Sequence, residues 1–253
     1  MIRALALAVA LFLTARPARG EDCLDLALYG SVLQAHTRSV ADLAGTHVDY
    51  AALQVSPQWA EVVKSLANCD PAKLATRQEK LAFWINAYNV LAIDLVASHW
   101  PLDSIKEVGS FLFPVWSKPA GQIHGRTYTL KEIETEEVRA LGDPRVHAAI
   151  VSAASSCPSL AREPYMAASI DAELDRAFLG FVSNRDKGFA LDRNTQTVRL
   201  SSLFKWFGGD FDAAGGVLKV IAAHLGDDDR KWLEAHRRPT LDFMTFDWRV
   251  NGE

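Results

Sequence analysis

The chain has no excess of positive charge. Its 253 residues carry 27 Lys and Arg against 31 Asp and Glu. The deficit grows once the first twenty residues are set aside, because they hold Arg3, Arg16 and Arg19 and no acid. The remainder has 24 basic against 31 acidic side chains, net −7. Nucleic acid and anionic lipid both call for a basic surface, so neither is expected as a partner. A phosphate-cradling glycine loop is also missing: Gly208-Gly209 follows Trp206-Phe207 with no Lys-Ser/Thr beside it. There is no Gly-x-Ser-x-Gly elbow. None of the seven histidines stands at zinc-ligand spacing from a cysteine. No metal and no cofactor is expected. No linker, repeat or low-complexity run divides the chain, and roughly 230 residues beyond the leader suit one domain.

Long apolar runs are scarce as well. Ala4 to Thr14, preceded by Arg3 and followed by Ala18-Arg19-Gly20, has the charge, length and small residues of a secretory signal peptide. It is too short for a membrane span, which takes about 20 apolar residues. The expectation is a signal peptide over 1–20, cleavage near Gly20, and a single exported domain over 21–253 in the periplasm or outside the cell, with no stable membrane insertion. The alternative is an uncleaved anchor.

Cysteine is limited to Cys23, Cys69 and Cys157. An odd count in an oxidising compartment leaves one thiol unpaired or pairs it between chains. Cys23 opens the first helical pattern and Cys69 closes the second, where a staple would tie down the N-terminal helix. A Cys23–Cys69 disulfide is therefore favoured, with Cys157 free, although connectivity does not follow from sequence alone.

Apolar periodicity predicts helices over Leu24–His36, Gln58–Ala67, Ala167–Val182, Gly215–Leu225 and Asp228–His236. Thr76-Arg77-Gln78-Glu79 is a capping box opening a helix that runs to Trp100, where Pro101 stops it. Thr129-Leu130-Lys131-Glu132 opens another, to Leu141. Val146–Ala153 reads as a short buried strand, Asn184–Asn194 as a polar loop, Thr197–Leu200 as a strand and Thr240–Trp248 as extended chain. The expected class is α+β, a helix-dominated single domain with a small, mainly antiparallel sheet.

Four places could carry chemistry. On the Thr76–Trp100 helix, Asn86 and Asn89 share a face with Phe83, Val90 and Ile93, while the opposite side is equally apolar, so both amides are buried. Either they pin a neighbouring loop or they line a pocket and orient a ligand. His147 lies among small residues that leave room for a ligand, although it also suits a satisfied core position. Cys157, in the turn Ser155-Ser156-Cys157-Pro158, is a nucleophile if a base lowers its pKa and otherwise a small buried hydrophobe. Ser152 and Ser156 complete the candidate ligand-binding set. Ten residues fully extended cover about 33 Å, so His147 and Cys157 meet only if the chain reverses within Ala153–Ser156; His124 is an equally admissible partner for the thiol. Glu132, Glu134, Glu136 and Glu137 read as a solvated helix face, and Lys205 with Asp210 as a surface ion pair.

FWINAYN, DPRVH leading into SSCP, LSSLFKWFGGDF and the terminal FDWRVN, with VDYAAL before them, occur in that order. Together they resemble the domain of unknown function family 547 over about Thr46 to Asn251. The resemblance implies that Asn86, Asn89, His147, Cys157, Trp206, Asp210 and Phe211 match positions typical of the family. One departure is Ser152, where members commonly carry a second cysteine; a thiol mechanism carried over from the family therefore lacks a partner here. The order of helix and histidine segment also looks like papain- and transglutaminase-type folds, an analogy of fold alone. Three functions remain open: an envelope module binding a peptide, glycan or small molecule; a Cys157-dependent amide hydrolase or acyltransferase; and a structural interaction domain. Oligomeric state is not legible.

Overall fold

The computed structural model describes residues 23–236 and 238–253; the expected signal peptide and its cleavage point lie outside the described residues. The chain runs α1 (Leu26–His36), β1 (Thr37–Ser39), β2 (Thr46–Val48), α2 (Tyr50–Gln54), α3 (Pro57–Asn68) and α4 (Arg77–Ser98). It continues through β3 (Pro119–Ile123), β4 (Arg126–Thr129), α5 (Leu130–Glu132) and α6 (Ile170–Ser183). It ends with β5 (Phe189–Asp192), β6 (Thr197–Leu200), α7 (Ser202–Trp206), α8 (Val217–Ala223), α9 (Asp227–Ala235) and β7 (Thr240–Phe243). The class is α+β and helix-dominated, as expected.

The strands form three small sheets rather than one. β1 and β2 pair antiparallel, as do β3 and β4. The third sheet has the order β5-β6-β7, antiparallel then parallel, with Thr197 opposite Thr240. β5 lies inside the stretch read from sequence as a polar loop, because Phe189 is the buried end of a hairpin whose tip alone is polar.

α4 is the axis of the fold. Thr76 Oγ1 accepts from the Glu79 amide at 3.1 Å, and Glu79 Oε2 accepts from the Thr76 amide at 2.9 Å. This reciprocal cap satisfies two donors that a helix start leaves open. From Leu81 to Ile93 every side chain is buried. At 22 residues α4 is long and apolar enough to cross a bilayer, yet most of it is wrapped by the rest of the protein. α3 packs beside it, and the Trp59 indole donates to Asp94 at 2.9 Å. Cys23 and Cys69 are joined in a disulfide, S–S 2.06 Å, tying the start of the described chain to the end of α3. A disulfide fits an oxidising location.

Asn86 and Asn89 use both ends of their amides on backbone. Asn86 Nδ2 donates to Tyr165 O at 2.8 Å and its Oδ1 accepts from Tyr165 N at 2.9 Å. Asn89 Nδ2 donates to Ala149 O at 2.9 Å and its Oδ1 accepts from Val151 N at 2.8 Å. Each side chain thus imitates one rung of a ladder to a buried segment with no strand beside it. This replaces the strand expected over Val146–Ala153. Asp143 caps a 3₁₀ turn over Pro144–Ala148 by accepting from the Arg145 amide at 3.1 Å, with proline at the first position, where its missing N–H costs nothing. Beyond the turn, Asn89 occupies the backbone groups a strand neighbour would need.

The C-terminal tail closes the structure. Val48 donates to Asn251 O at 3.0 Å, and the amides of Ser155 and Ser156 donate to Arg249 O and Asp247 O at 2.8 and 3.1 Å. A second apolar cluster joins Phe178 of α6 to Phe204 and Phe211. Ala148 belongs to that cluster and Ala149 to the one around α4, so the Pro144–Ala148 turn runs along the seam between them.

Asn89→Ala leaves the Ala149 carbonyl and the Val151 amide buried and unpaired, at about 1–3 kcal/mol each. The expected loss of unfolding free energy is about 2–6 kcal/mol, read from urea denaturation against the parent protein.

Candidate functional site

A cleft opens on this seam, about 630 Å³ counting the solvent at its mouth. One wall is aromatic: Trp116, Trp206, Phe246 and Trp248. Trp206 and Trp248 stack with ring centroids 5.7 Å apart and planes 21° apart, and Phe246 lies 4.4 Å from Trp248. α7 delivers Trp206, and the hydrogen bonds of the C-terminal tail hold Phe246 and Trp248 over the opening. Trp206 is 46% exposed although it packs on both Phe246 and Trp248. Lys106 Nζ caps the outer face of Trp248 at 3.7 Å from the ring centre.

The opposite side is polar: Tyr88, Glu134, His147, Ser152 and Cys157. Glu134 reaches it through an irregularity. After α5 the helix widens to π geometry over Ile133–Val138 and then tightens over Arg139–Leu141. Leu130, Ile133 and Val138 are all buried, and the five-residue step between the last two requires the wider turn. Burial raises the Glu134 carboxyl above its usual range, with the Asp210 charge adding to the effect and Arg139 opposing it. The reading of a fully solvated acidic face is therefore corrected at Glu134.

His147 ends the 3₁₀ turn instead of sitting on a strand. Its Nε2 lies 2.7 Å from Asp210 Oδ2, and its ring stacks on Phe207 at 4.3 Å. Asp210 also receives Arg139 Nε at 2.6 Å and Nη2 at 2.8 Å. These Arg139 bonds hold the Asp210 carboxyl below its usual range against partial burial, with His147 adding to the effect. An ionised Asp210 requires the His147 proton on Nε2. Burial nonetheless pulls the His147 pKa below its ordinary value, Asp210 opposing. The ion pair of Lys205 with Asp210 is not formed; Lys205 lies over the Phe243 ring instead, because Arg139 fills the carboxylate.

Cys157 is the free cysteine and is buried. Ala153, at φ +55°, and the bond from the Cys157 amide to Ala154 O at 2.9 Å make the reversal the chain needs. The turn brings Cys157 Sγ to 3.1 Å from Ser152 Oγ, beside the Tyr88 hydroxyl. Burial raises the thiol pKa, with the Ser152 hydrogen bond the largest opposing effect. His147 and Cys157 thus line one cleft, but no hydrogen bond joins them: the imidazole is spent on Asp210 and the thiol on Ser152. His124 is remote, 3.9 Å from Asp70 on another face.

Of the ligand-binding candidates, Ser152 lines the cleft. Asn86 and Asn89 do not; their amides position the chain that does, and Asn86 borders a separate small cavity near Tyr165. Ser156 is corrected likewise: its Oγ accepts from the Asp247 amide at 2.9 Å and anchors the tail. Sequence reasoning missed Glu134, whose signal was the irregular apolar step from Ile133 to Val138. It also missed Asp210 as the partner of His147, 63 residues away, for which no local signal exists.

The pH response follows from the two directions. The folded protein binds a proton at His147 only below the pH at which the unfolded chain does, about 6.5. Stability is then full above about pH 6.5 and falls as pH drops through that value; the depressed Asp210 carboxyl adds a loss of the same sign at lower pH. His147→Gln should flatten the decline that begins below about pH 6.5, measured as the urea midpoint against pH.

Residues 71–182 match a family model described as "Protein of unknown function, DUF547". No curated protein matches the chain, and no solved structure does. The match takes in α4, the π-helical segment, the His147 turn, Ser152, Cys157 and most of α6. It stops short of α7 and the C-terminal tail, so it is narrower than the resemblance drawn from the sequence. Residues 71–182, which supply the polar lining of the cleft, are thus the part of the chain that is similar to the DUF547 family.

Proposed function

We propose that the protein is an exported ligand-binding module whose aromatic cleft holds a peptide, glycan or small molecule. The observation that carries this reading is a cleft lined both by the packed rings of Trp206, Phe246 and Trp248 and by the polar groups of Glu134 and Ser152. Rings offer flat contact to an apolar or sugar face, and a few polar groups fix orientation. Glu134, whose pKa burial raises, offers a carboxyl oxygen as a hydrogen-bond acceptor for a ligand. The disulfide, the acidic balance and the signal-peptide pattern together favour an exported protein over one that meets nucleic acid.

The thiol-hydrolase reading has one feature in its favour, the shared cleft of His147 and Cys157. The protonation of Cys157 and the absence of a hydrogen bond between the two weigh against it. A purely structural domain would have no use for a half-exposed indole above an open cleft.

Titration with soluble glycan fragments and short peptides, followed by tryptophan fluorescence, tests the binding reading. Trp206→Ala should weaken a detected ligand about two- to twelvefold, the equivalent of roughly 0.5–1.5 kcal/mol for one aromatic contact. Unchanged affinity in that variant, or no ligand across the panel, would count against the cleft as a binding site. Native Cys157 should alkylate slowly at pH 7 and react fully only after unfolding. Rapid labelling with an apparent pKa well below about 8.5 would bring the hydrolase reading to the front.

A further inference from the structure

A second hollow, beside α6, measures about 1070 Å³ with its open mouth and shares no lining residue with the aromatic cleft. Ser159, two residues past Cys157, stands exposed at its edge. Behind it lies Lys187, in the turn between α6 and β5 and only 2% exposed. Lys187 Nζ donates to Ala44 O at 2.9 Å and lies 3.4 Å from Ser159 Oγ. No carboxylate among the described residues forms a salt bridge with Lys187; the nearby Asp42 is held by His47 at 2.7 Å.

A lysine seldom stands buried without a counter-charge, because removing an ammonium from water is expensive. Neither oxygen beside Nζ is a carboxylate. An ammonium donates to both, whereas a neutral amine donates to Ala44 O and keeps a lone pair for the Ser159 O–H. Burial accordingly lowers the Lys187 pKa to about 8, with Cys157 and Asp42 opposing. Those two are the titratable groups facing it; Arg185 and Asp186, on its own turn, are exposed. Gly45 completes the arrangement. Its φ is +74°, and a Cβ there would fall 2.1 Å from Ser159 Oγ, so only glycine lets the backbone close over the hydroxyl.

We propose that Ser159 is a nucleophile and Lys187 its general base, a serine–lysine pair that accepts acyl groups from small esters entering this hollow. Serine is a weak nucleophile until a neighbouring base takes its proton, and lysine fills that role once it is neutral. As Ser159 Oγ bonds to the ester carbonyl carbon, its proton passes to Lys187 Nζ. The tetrahedral adduct then collapses, the bond to the leaving alkoxide breaks, and Lys187 returns the proton to it as an alcohol. Water repeats the sequence on the acyl-serine, releasing the acid and restoring the pair. Ala177 and Phe181 give the hollow an apolar side for a short acyl chain. The hollow shares no lining residue with the aromatic cleft, so its reaction does not rest on the binding reading given above.

The test is labelling of the full-length protein with an alkyl fluorophosphonate, whose phosphorus takes Ser Oγ and releases fluoride, followed by peptide mass mapping. The label should fall on Ser159, its rate should rise through about pH 8, and Ser159→Ala should abolish it. Lys187→Met should slow labelling about a hundredfold or more, the size of a general-base contribution. Lys187→Arg keeps a donor for Ala44 O but cannot act as a base, so it should be as slow even where Lys187→Met fails to fold. An unlabelled Ser159, or a folded Lys187→Arg protein that labels at the parent rate, would overturn the proposal and leave Lys187 as a clamp between two loops.

Discussion

Two asparagine side chains on α4 carry the constraint on which the rest of the molecule depends. The segment after Asp143 is too buried for water to satisfy its backbone and has no adjacent strand. Asn89 supplies the missing pair of hydrogen bonds at Ala149 and Val151, and Asn86 does the same at Tyr165. A backbone group left unpaired at such depth costs as much as several favourable contacts return. The path between these clamps is therefore fixed, and it contains Ser152, Cys157 and Ser159. The C-terminal tail then pairs with Ser155 and Ser156, which sets the positions of Phe246 and Trp248. The amides hold both walls of the cleft without lining it.

The electrostatics of the cleft follow from how three acids are placed. Asp143 is buried among Arg145 and Arg77, Asp210 takes Arg139 in a two-pronged bond, and Glu134 has neither arrangement. Two carboxylates near one cleft are thus driven in opposite directions, Asp210 toward its charged form and Glu134 toward its neutral one. His147, between apolar rings, gains from Asp210 an anchor for its Nε2 proton more than it gains charge. The result is one negative group held by Arg139 and set back from the opening, and one carboxyl at the cleft whose pKa burial raises.

What the sequence made legible was local. The Thr76–Glu79 cap, the stop before Pro101 and the capping box at Thr129 are decided within a few residues. The Cys23–Cys69 bridge followed from where helices end, and the burial of Asn86 and Asn89 from an apolar face around two amides, whereas the choice between pinning a loop and lining a pocket was left open. What failed was long-range. Val146–Ala153 reads as a strand because a short apolar run looks the same whether its backbone meets another strand or two side chains. Asp210 looked like the partner of Lys205 because Arg139 is 71 residues away in sequence. Lys187 and Ser159 carry no pattern at all, since only the fold puts an amine from the end of α6 behind a hydroxyl from the Cys157 turn.

Ser152 shows how one atom changes what such a cleft can do. At this position the resemblance to the family leads one to expect sulfur, five residues before Cys157 and across a tight reversal. A second thiol there would face the first and, in an oxidising compartment, would be able to bridge to it. The hydroxyl cannot. It gives Cys157 a hydrogen bond at 3.1 Å, which partly offsets the cost of burying the thiol but falls short of producing a thiolate. The Lys187 charge adds a smaller effect in the same direction, and His147 makes no hydrogen bond to the thiol, so burial prevails and the sulfur remains a packed, protonated group. The chemistry left at that end of the cleft is hydrogen bonding by Ser152, Tyr88 and Glu134 opposite a wall of rings, and that combination recognises a ligand more readily than it cleaves one.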